Sequence, residues 1–394
     1  MVINTALVFG AGNVGRGFLG QLFSESGYKI VFVDVDQPLI AAINDRRAYA
    51  INLVDNDLDQ RTEIAPVQAL HAQEADVVTQ AVAEAEIAAT AVGVRALEHI
   101  APLLAAGVVC RAQAGIQAPL NVIICENLKD AAATFRGMVG QHVPAGQQDY
   151  FWTNVGFVDT VIGRMVPPPT PEMRQQDPSL IAVEPYKELP VDRQGFIGPI
   201  PNIVGMELCD NFAAYTARKL YVHNCGHAIL GYLGYLRGHE FGYQALEDAA
   251  IRSTFETALA ESKAGIVAAH GVEPAWLEAH IANLTRRFAN RALGDTVFRL
   301  GRDPLRKLGP ADRLVGAARL AEQAGVLPDA LGWGIAAGYC FNDAADPLAA
   351  RLQQQIAAEG FTAALADVSS IRTDEMLGTL VAARYRLLRG GGWP

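Results

Sequence analysis

A glycine-rich turn set between an apolar run and an amphipathic segment restricts this chain more than any other feature. Ala6 to Phe9 reads as a short apolar strand, and it runs directly into Gly10-Ala11-Gly12-Asn13-Val14-Gly15-Arg16-Gly17. Phe18, Leu19, Leu22 and Phe23 then recur at helical spacing up to Gly27, where a helix would stop. Lys29 to Val33 is a β-branched and aromatic run that closes on Asp34. Strand, glycine turn, helix, strand and acid follow one another within about thirty residues, and that context gives a GxGxxG spacing its meaning. The first glycine allows the tight turn, the second lets the backbone approach a pyrophosphate, and the third lets helix and strand pack closely. The helix N-terminus presents free N–H groups to the phosphates. Gly10, Gly12, Asn13, Val14 and Gly15 are therefore candidate cofactor-binding residues. Asp34, 19 positions after Gly15, is placed to accept hydrogen bonds from an adenosine ribose. A carboxylate there also repels a 2′-phosphate, which points to NAD rather than NADP. Asp36 competes for the same role.

The alternation of strand and helix continues. Pro38 to Asn44 reads as helix, Ile87 to Val92 as strand, Leu97 to Leu104 as helix, and Asn121 to Cys125 as a buried strand ending at Glu126 and Asn127. Alternation of this kind implies a parallel sheet with helices on both faces. Ligands of such sheets bind beyond the carboxyl ends of the strands, so Thr90, Gly93, Glu126 and Asn127 are expected to line a cofactor crevice. Residues 166–202 are rich in proline and read as a domain junction with some extended structure inside it. From about Met206 the periodicity is helical nearly to the end. The expected fold is α/β: a Rossmann-type, doubly wound parallel sheet over residues 1–200 and a mainly α-helical domain over 201–394.

Composition narrows the function classes. Lys and Arg number 32 against 42 Asp and Glu, a formal charge of −10. A chain this acidic gains nothing from counterion release, so no nucleic-acid partner is expected. Five widely spaced cysteines, at 110, 125, 209, 225 and 340, form no CxxC pair and read as reduced thiols of a cytoplasmic protein. No stretch reaches about 18 uncharged apolar residues, and no membrane partner is expected. No heptad seam marks an oligomer interface.

The chemistry is carried by Lys219-Leu-Tyr-Val-His-Asn224-Cys-Gly-His227. At about 100° per residue, Lys219, His227 and Asn224 fall near 0°, 80° and 140° of a helical wheel, on one face. A solvated helix start has the same composition, so the pattern alone leaves both readings open. His223 and His227 stand at i, i+4, but Asn224 occupies the position of the Glu in HExxH and no third ligand is evident, so no metal is expected. Downstream, Arg302, Arg306, Lys307 and Arg313 place four cations in twelve residues. These are either solvated surface or a phosphate grip.

The segment around Met206-Glu-Leu-Cys-Asp-Asn-Phe, Arg218-Lys219-Leu and Asn224-Cys-Gly-His-Ala resembles the K-x4-N-x2-H motif of the polyol-specific long-chain dehydrogenases, the mannitol dehydrogenase family. Phe9-Gly-Ala-Gly-Asn-Val-Gly-Arg-Gly-Phe is similar to that family's cofactor loop. Thr90-Ala-Val-Gly93, Pro119 to Asn127 and Gly301-Arg-Asp-Pro-Leu-Arg-Lys-Leu308 resemble one branch, the mannitol-1-phosphate 5-dehydrogenases. The resemblance runs from residue 3 to the 380s. It implies metal-independent, NAD-linked interconversion of D-mannitol 1-phosphate and D-fructose 6-phosphate, with Lys219 as general base. Asn224 and Asn127 would donate amide hydrogens to the reacting oxygen, and His227 would orient substrate and Lys. It also tilts the four cations toward the substrate phosphate. Branches acting on a non-phosphorylated polyol or a hexuronate, of the mannitol 2-dehydrogenase or fructuronate/tagaturonate reductase type, are the alternative. One departure stands out: the family's V-D-R-I core is Val161-Ile162-Gly163-Arg164-Met165 here, so any ion pair made by that Asp is absent.

Overall fold

A computed structural model of the chain describes residues 4–392. Its strands in chain order are β1 (Thr5–Phe9), β2 (Lys29–Asp34), β3 (Tyr49–Asp55), β4 (Leu58–Ile64), β5 (Val67–His71), β6 (Ile87–Thr90), β7 (Leu120–Ile124), β8 (Val155–Asp159), β9 (Ile181–Val183), β10 (Leu189–Asp192) and β11 (Met206–Cys209). Six of them form one all-parallel sheet in the order β5-β2-β1-β6-β7-β8. Counted within that sheet this is the 3-2-1-4-5-6 order of a Rossmann fold, with the switch point between β1 and β6. Both faces are covered. Ala6, Val8, Ile30 and Phe32 point into one core, and Leu7, Phe9, Val31 and Val33 into the other. Burial on both faces is why these strands read as unbroken apolar runs without alternation.

The helix expected at Pro38 to Asn44 spans Gln37–Arg46, and the Asp36 side chain caps it by accepting the Leu39 N–H at 3.2 Å. The helix expected to end at Leu104 continues to Gln113. Its Gly107 lies where a Cβ would come within 2.3 Å of Val82, so the glycine serves close packing on the helix Ala75–Glu84.

The proline-rich stretch is folded into the first of two units, which runs to Phe212, and the second unit starts at Ala213. β9 pairs with β3 of the β3–β4 hairpin, and β10 pairs with β11. Met206–Cys209 is thus a strand where helical periodicity was expected to begin; four residues are too few to show a period, and ladder bonds to β10 decide the conformation. The missing Asp of the V-D-R-I core leaves no gap. Arg164 is buried and donates to the Glu184 and Gly17 carbonyls at 2.7 and 3.0 Å and to Gln21 Oε1 at 2.7 Å. The Tyr186 ring lies 3.0 Å from where a Gly163 Cβ would stand, so the space of the lost side chain is filled by an aromatic edge.

From Ala213 the described chain is helical. Cys225–Leu236 and Asp329–Cys340 are buried nearly all round, as helices apolar on every face must be. Small residues set their approach: a Cβ on Gly231 would meet the Gly301 backbone N at 2.7 Å, and one on Gly338 the Tyr232 ring at 3.0 Å. The carboxylate of buried Glu261, on the helix Ala249–His270, accepts the N–H groups of Ala330 and Leu331 at 2.8 and 2.9 Å, satisfying the start of Asp329–Cys340. Among the described residues no helix is long and apolar enough to cross a membrane.

Candidate active site

The switch point is where the glycine turn sits. Gly10 leaves β1 with φ +96°, and a Cβ on it would lie 2.4 Å from the Ala91 carbonyl oxygen at the end of β6. A Cβ on Gly15 would lie 1.9 Å from the Gly10 carbonyl oxygen. Both glycines are therefore demanded by the fold itself. Gly12 is different: its φ is ordinary and a Cβ there would meet nothing within 4 Å. Neither packing nor backbone strain calls for a glycine there, and the turn is open on that side. Asn13 and Val14 are half-buried at the start of the following helix.

The end of β2 shapes the same turn. Asp34 Oδ2 accepts the Ala11 N–H at 2.6 Å, and Oδ1 accepts the N–H groups of Val35 and Asp36 at 2.7 and 3.0 Å. Asp36, the sequence competitor, is committed to its helix cap. Across the switch point Thr90 ends β6 in full burial. Gly93 follows with φ +86° and open space around its Cα. Glu126 holds that turn, its two oxygens accepting the N–H groups of Val92 and Gly93 at 2.9 Å each. Burial pushes the Glu126 carboxyl up, and the two N–H groups pull it back. Asn127, next on the loop after β7, is exposed.

In the second unit the motif lies across a change of helix type. Phe212–Ala217 is α-helical, Arg218–Asn224 is π-helical, and Cys225–Leu236 is α-helical again. The wheel positions expected at 100° per residue therefore do not hold. The i→i+5 bonding of a π-turn adds a residue per turn, so Lys219 and Asn224, five apart, come closer to one face than an α-helix would bring them. The wide turn is held from outside. Ser262 Oγ donates to the Tyr221 carbonyl at 2.6 Å, and Tyr221 Oη donates to the Ala311 carbonyl at 3.3 Å. Gly316 makes room for the Tyr221 ring, which lies 2.6 Å from where its Cβ would be.

His227 stacks on Phe288 with ring centroids 4.2 Å apart, and buried His223 meets it edge-on at 4.8 Å. Burial, then the charges of Lys219, Arg299, Arg313 and Lys307, holds the His227 imidazole well below its ordinary pKa. Burial followed by Lys219 does the same to His223, and His280 is pushed down to about 2 by burial, Arg218, Arg287 and Lys219. These rings are neutral at neutral pH, each with one donor and one acceptor nitrogen. Among the described residues no group of three or more His, Cys, Asp and Glu is arranged to hold a metal ion.

The four cations divide. Arg302 is exposed. Arg306 is also exposed and pairs with Asp303 at 2.7 Å and Asp312 at 3.7 Å. Lys307 is buried and donates to the Leu300 carbonyl at 2.5 Å; burial, then Arg313, pushes it down to about 7. Arg313 is buried and pairs with Asp312 at 2.7 Å. Lys307 and Arg313 act on His227, and Arg299 joins them there. Sequence reading missed Arg299, because Asp295 and Arg299 at i, i+4 look like an ordinary surface pair; they do form an ion pair, with Asp295 largely covered.

A 3-2-1-4-5-6 sheet with an open-sided glycine turn at its switch point defines a Rossmann-type nucleotide-binding protein. The two units also match known domains: residues 4–205 match the mannitol dehydrogenase Rossmann domain and residues 211–385 the mannitol dehydrogenase C-terminal domain. The chain belongs to the mannitol dehydrogenase family of oxidoreductases. Among solved structures it is similar to Pseudomonas fluorescens mannitol 2-dehydrogenase, a ternary complex with NAD and D-mannitol. The TM-score there is 0.76 at 17% identity, over 99% of this chain and 92% of that one. It is also similar to a substrate-free D-sorbitol dehydrogenase, with TM-score 0.81 at 16% identity over 98% and 93% of the two chains. At these identities the likeness establishes the fold.

Proposed function

We propose that the chain is an NAD-dependent polyol dehydrogenase whose substrate pair is D-mannitol 1-phosphate and D-fructose 6-phosphate. The phosphate reading is supported by where the cations lie. Lys219 is on the π-turn that leads into the His227 helix, and Arg299 is on the helix Val297–Gly301 packed against that helix. The Lys307 ammonium is bonded to the Leu300 carbonyl of the same packing helix. Lys307 and Arg313 are buried and Lys219 and Arg299 half-buried, with Arg313 and Arg299 paired to Asp312 and Asp295. A phosphate dianion takes stronger, charge-assisted hydrogen bonds from such cations than a neutral polyol does.

In polyol oxidation Lys219 takes the proton of the reacting hydroxyl as general base. Asn224, beside it on the π-turn, donates amide hydrogens to the oxygen as it becomes alkoxide-like. His227, neutral and fixed by Phe288, orients the substrate with one donor and one acceptor nitrogen. Bound nicotinamide supplies the hydride acceptor. Gly12 leaves room for its pyrophosphate, and Asp34 offers its remaining lone pairs to the adenosine ribose.

NADH oxidation tests the reading. Fructose 6-phosphate should support turnover with kcat/KM well above that of plain fructose or a keto-uronate. Preference for plain fructose moves the chain to a free-polyol activity, like the mannitol of the Pseudomonas complex. Lys219→Ala should lower kcat by about 10²–10⁴-fold, and Lys219→Arg should not restore it, since a guanidinium keeps its proton.

A further inference from the structure

Arg16 directly follows the third glycine of the turn. A cation beside a phosphate-binding loop would be expected to reach outward for the phosphate; this one is turned inward. It is 5% exposed and, among the described residues, forms no ion pair. Its Nε donates to the Ala11 carbonyl at 2.5 Å, and Nη1 donates to the carbonyls of Ser179 and, at 3.4 Å, Pro178. Its own N–H donates to the Gly12 carbonyl at 3.0 Å, and Tyr49 Oη on β3 donates to its carbonyl at 2.7 Å. A buried guanidinium held by carbonyls is costly if its work is only to fill space, because an apolar side chain fills space without the desolvation penalty.

We propose that Arg16 is a positioning residue for the cofactor, and that the segment around Ser179 serves to hold it. The proposal rests on the dinucleotide reading of the glycine turn. The peptide group is planar and trans, so its C=O and N–H point in opposite directions. Arg16 fixes the Ala11 carbonyl inward and thereby aims the Gly12 N–H away from itself, toward the open side of the turn. On the other side of Ala11, Asp34 fixes the preceding peptide through the Ala11 N–H. Both peptides flanking Ala11 are thus set before a ligand arrives, and the donor a pyrophosphate would use is oriented in advance. The clamp has its own support. Ser179 precedes β9, and its hydroxyl and N–H both donate to Asp177, which takes the Arg46 guanidinium bidentately at 2.6 Å. That pair, led by the Arg46 hydrogen bonds, holds the Asp177 carboxyl well below the usual range. The small sheet β4-β3-β9 then has a function: it carries Tyr49 and Ser179 to Arg16.

The test is NADH binding by fluorescence titration, with KM for NADH and kcat measured alongside and thermal unfolding as control. Arg16→Met should raise the NADH Kd about ten- to hundredfold, as expected for a lost charge-assisted hydrogen bond. KM for NADH should rise more than kcat falls. Arg16→Lys, with the charge but not the fork, should fall between Arg16→Met and the wild type. Arg46→Met loosens the clamp from the solvent side and should raise Kd in the same sense; it decides the matter where the Arg16 variants do not fold. Wild-type Kd in the variants, with only a lowered Tm, overturns the clamp. Absence of NADH binding in the wild type overturns the cofactor reading beneath it.

Discussion

Gly12 and Gly15 are both part of one motif, yet they should respond oppositely to the same substitution. A methyl group at Gly12 meets nothing within 4 Å, and the backbone there is one any residue adopts. Alanine at such a site stabilises by about 0.4–1 kcal/mol through the unfolded state. For a unit of this size that corresponds to roughly 1–4 °C in Tm. The same methyl group occupies the space left for pyrophosphate, and overpacking of a close contact costs about 1–3 kcal/mol, roughly five- to hundredfold in NADH Kd. Gly15→Ala forces a Cβ to within 1.9 Å of the Gly10 carbonyl oxygen, so the backbone must shift. That should lower Tm by about 3–10 °C. Fluorescence titration with NADH and thermal unfolding of both variants give the four numbers needed. Wild-type NADH affinity in Gly12→Ala would refute the reading of the open space as a cofactor site. An unchanged Tm in Gly15→Ala would refute the packing argument.

Asp34→Ser should narrow the preference for NADH over NADPH, read as the ratio of kcat/KM values, because it removes the charge that repels a 2′-phosphate; equal use of both cofactors by the wild type would show that Asp34 serves only the turn. Ser262→Ala removes the donor that holds the Tyr221 carbonyl in the π-turn and should lower kcat about tenfold with little change in KM for NADH, while Ser262→Thr, which keeps the hydroxyl, should recover most of it. Lys307, pushed down to about 7, binds its proton less readily folded than unfolded, so between about pH 7 and 10.5 the unfolded chain holds more protons and stability rises with pH. Lys307→Met should remove that rise, and its Tm relative to wild type should be more favourable at pH 6.5 than at pH 9.5; a difference independent of pH would mean that Lys307 does not titrate in that window.

The glycine turn, β1, β2, Asp34 and the helical character of the second unit were legible because each rests on local pattern: an apolar run, a period of 3.6, a glycine spacing. The accessory strands were not. β9, β10 and β11 have three or four residues each, and their conformation is decided by partners distant in sequence. The π-turn was equally hidden, since a wheel drawn from sequence assumes the period it is meant to test. Arg16 stood in plain view within the motif, but only the Ser179 carbonyl, more than 160 positions away, reveals the direction it faces.

The clamp on Arg16 also fixes when the nucleotide site can be completed during synthesis. β1 can pair with β2 once residue 34 is made, but Gly10 acquires its neighbour Ala91 only after β6, and Arg16 its Ser179 carbonyl only after β8. Chains lengthen at about 5–20 residues per second, and contacts between distant segments form late. A nascent chain stopped near residue 165 holds all six strands of the main sheet, but its Arg16 lacks the carbonyls of Pro178 and Ser179. Completion of the Arg16 clamp therefore follows emergence of the proline-rich stretch, and a chain ending before it lacks the Pro178 and Ser179 carbonyls that hold the guanidinium.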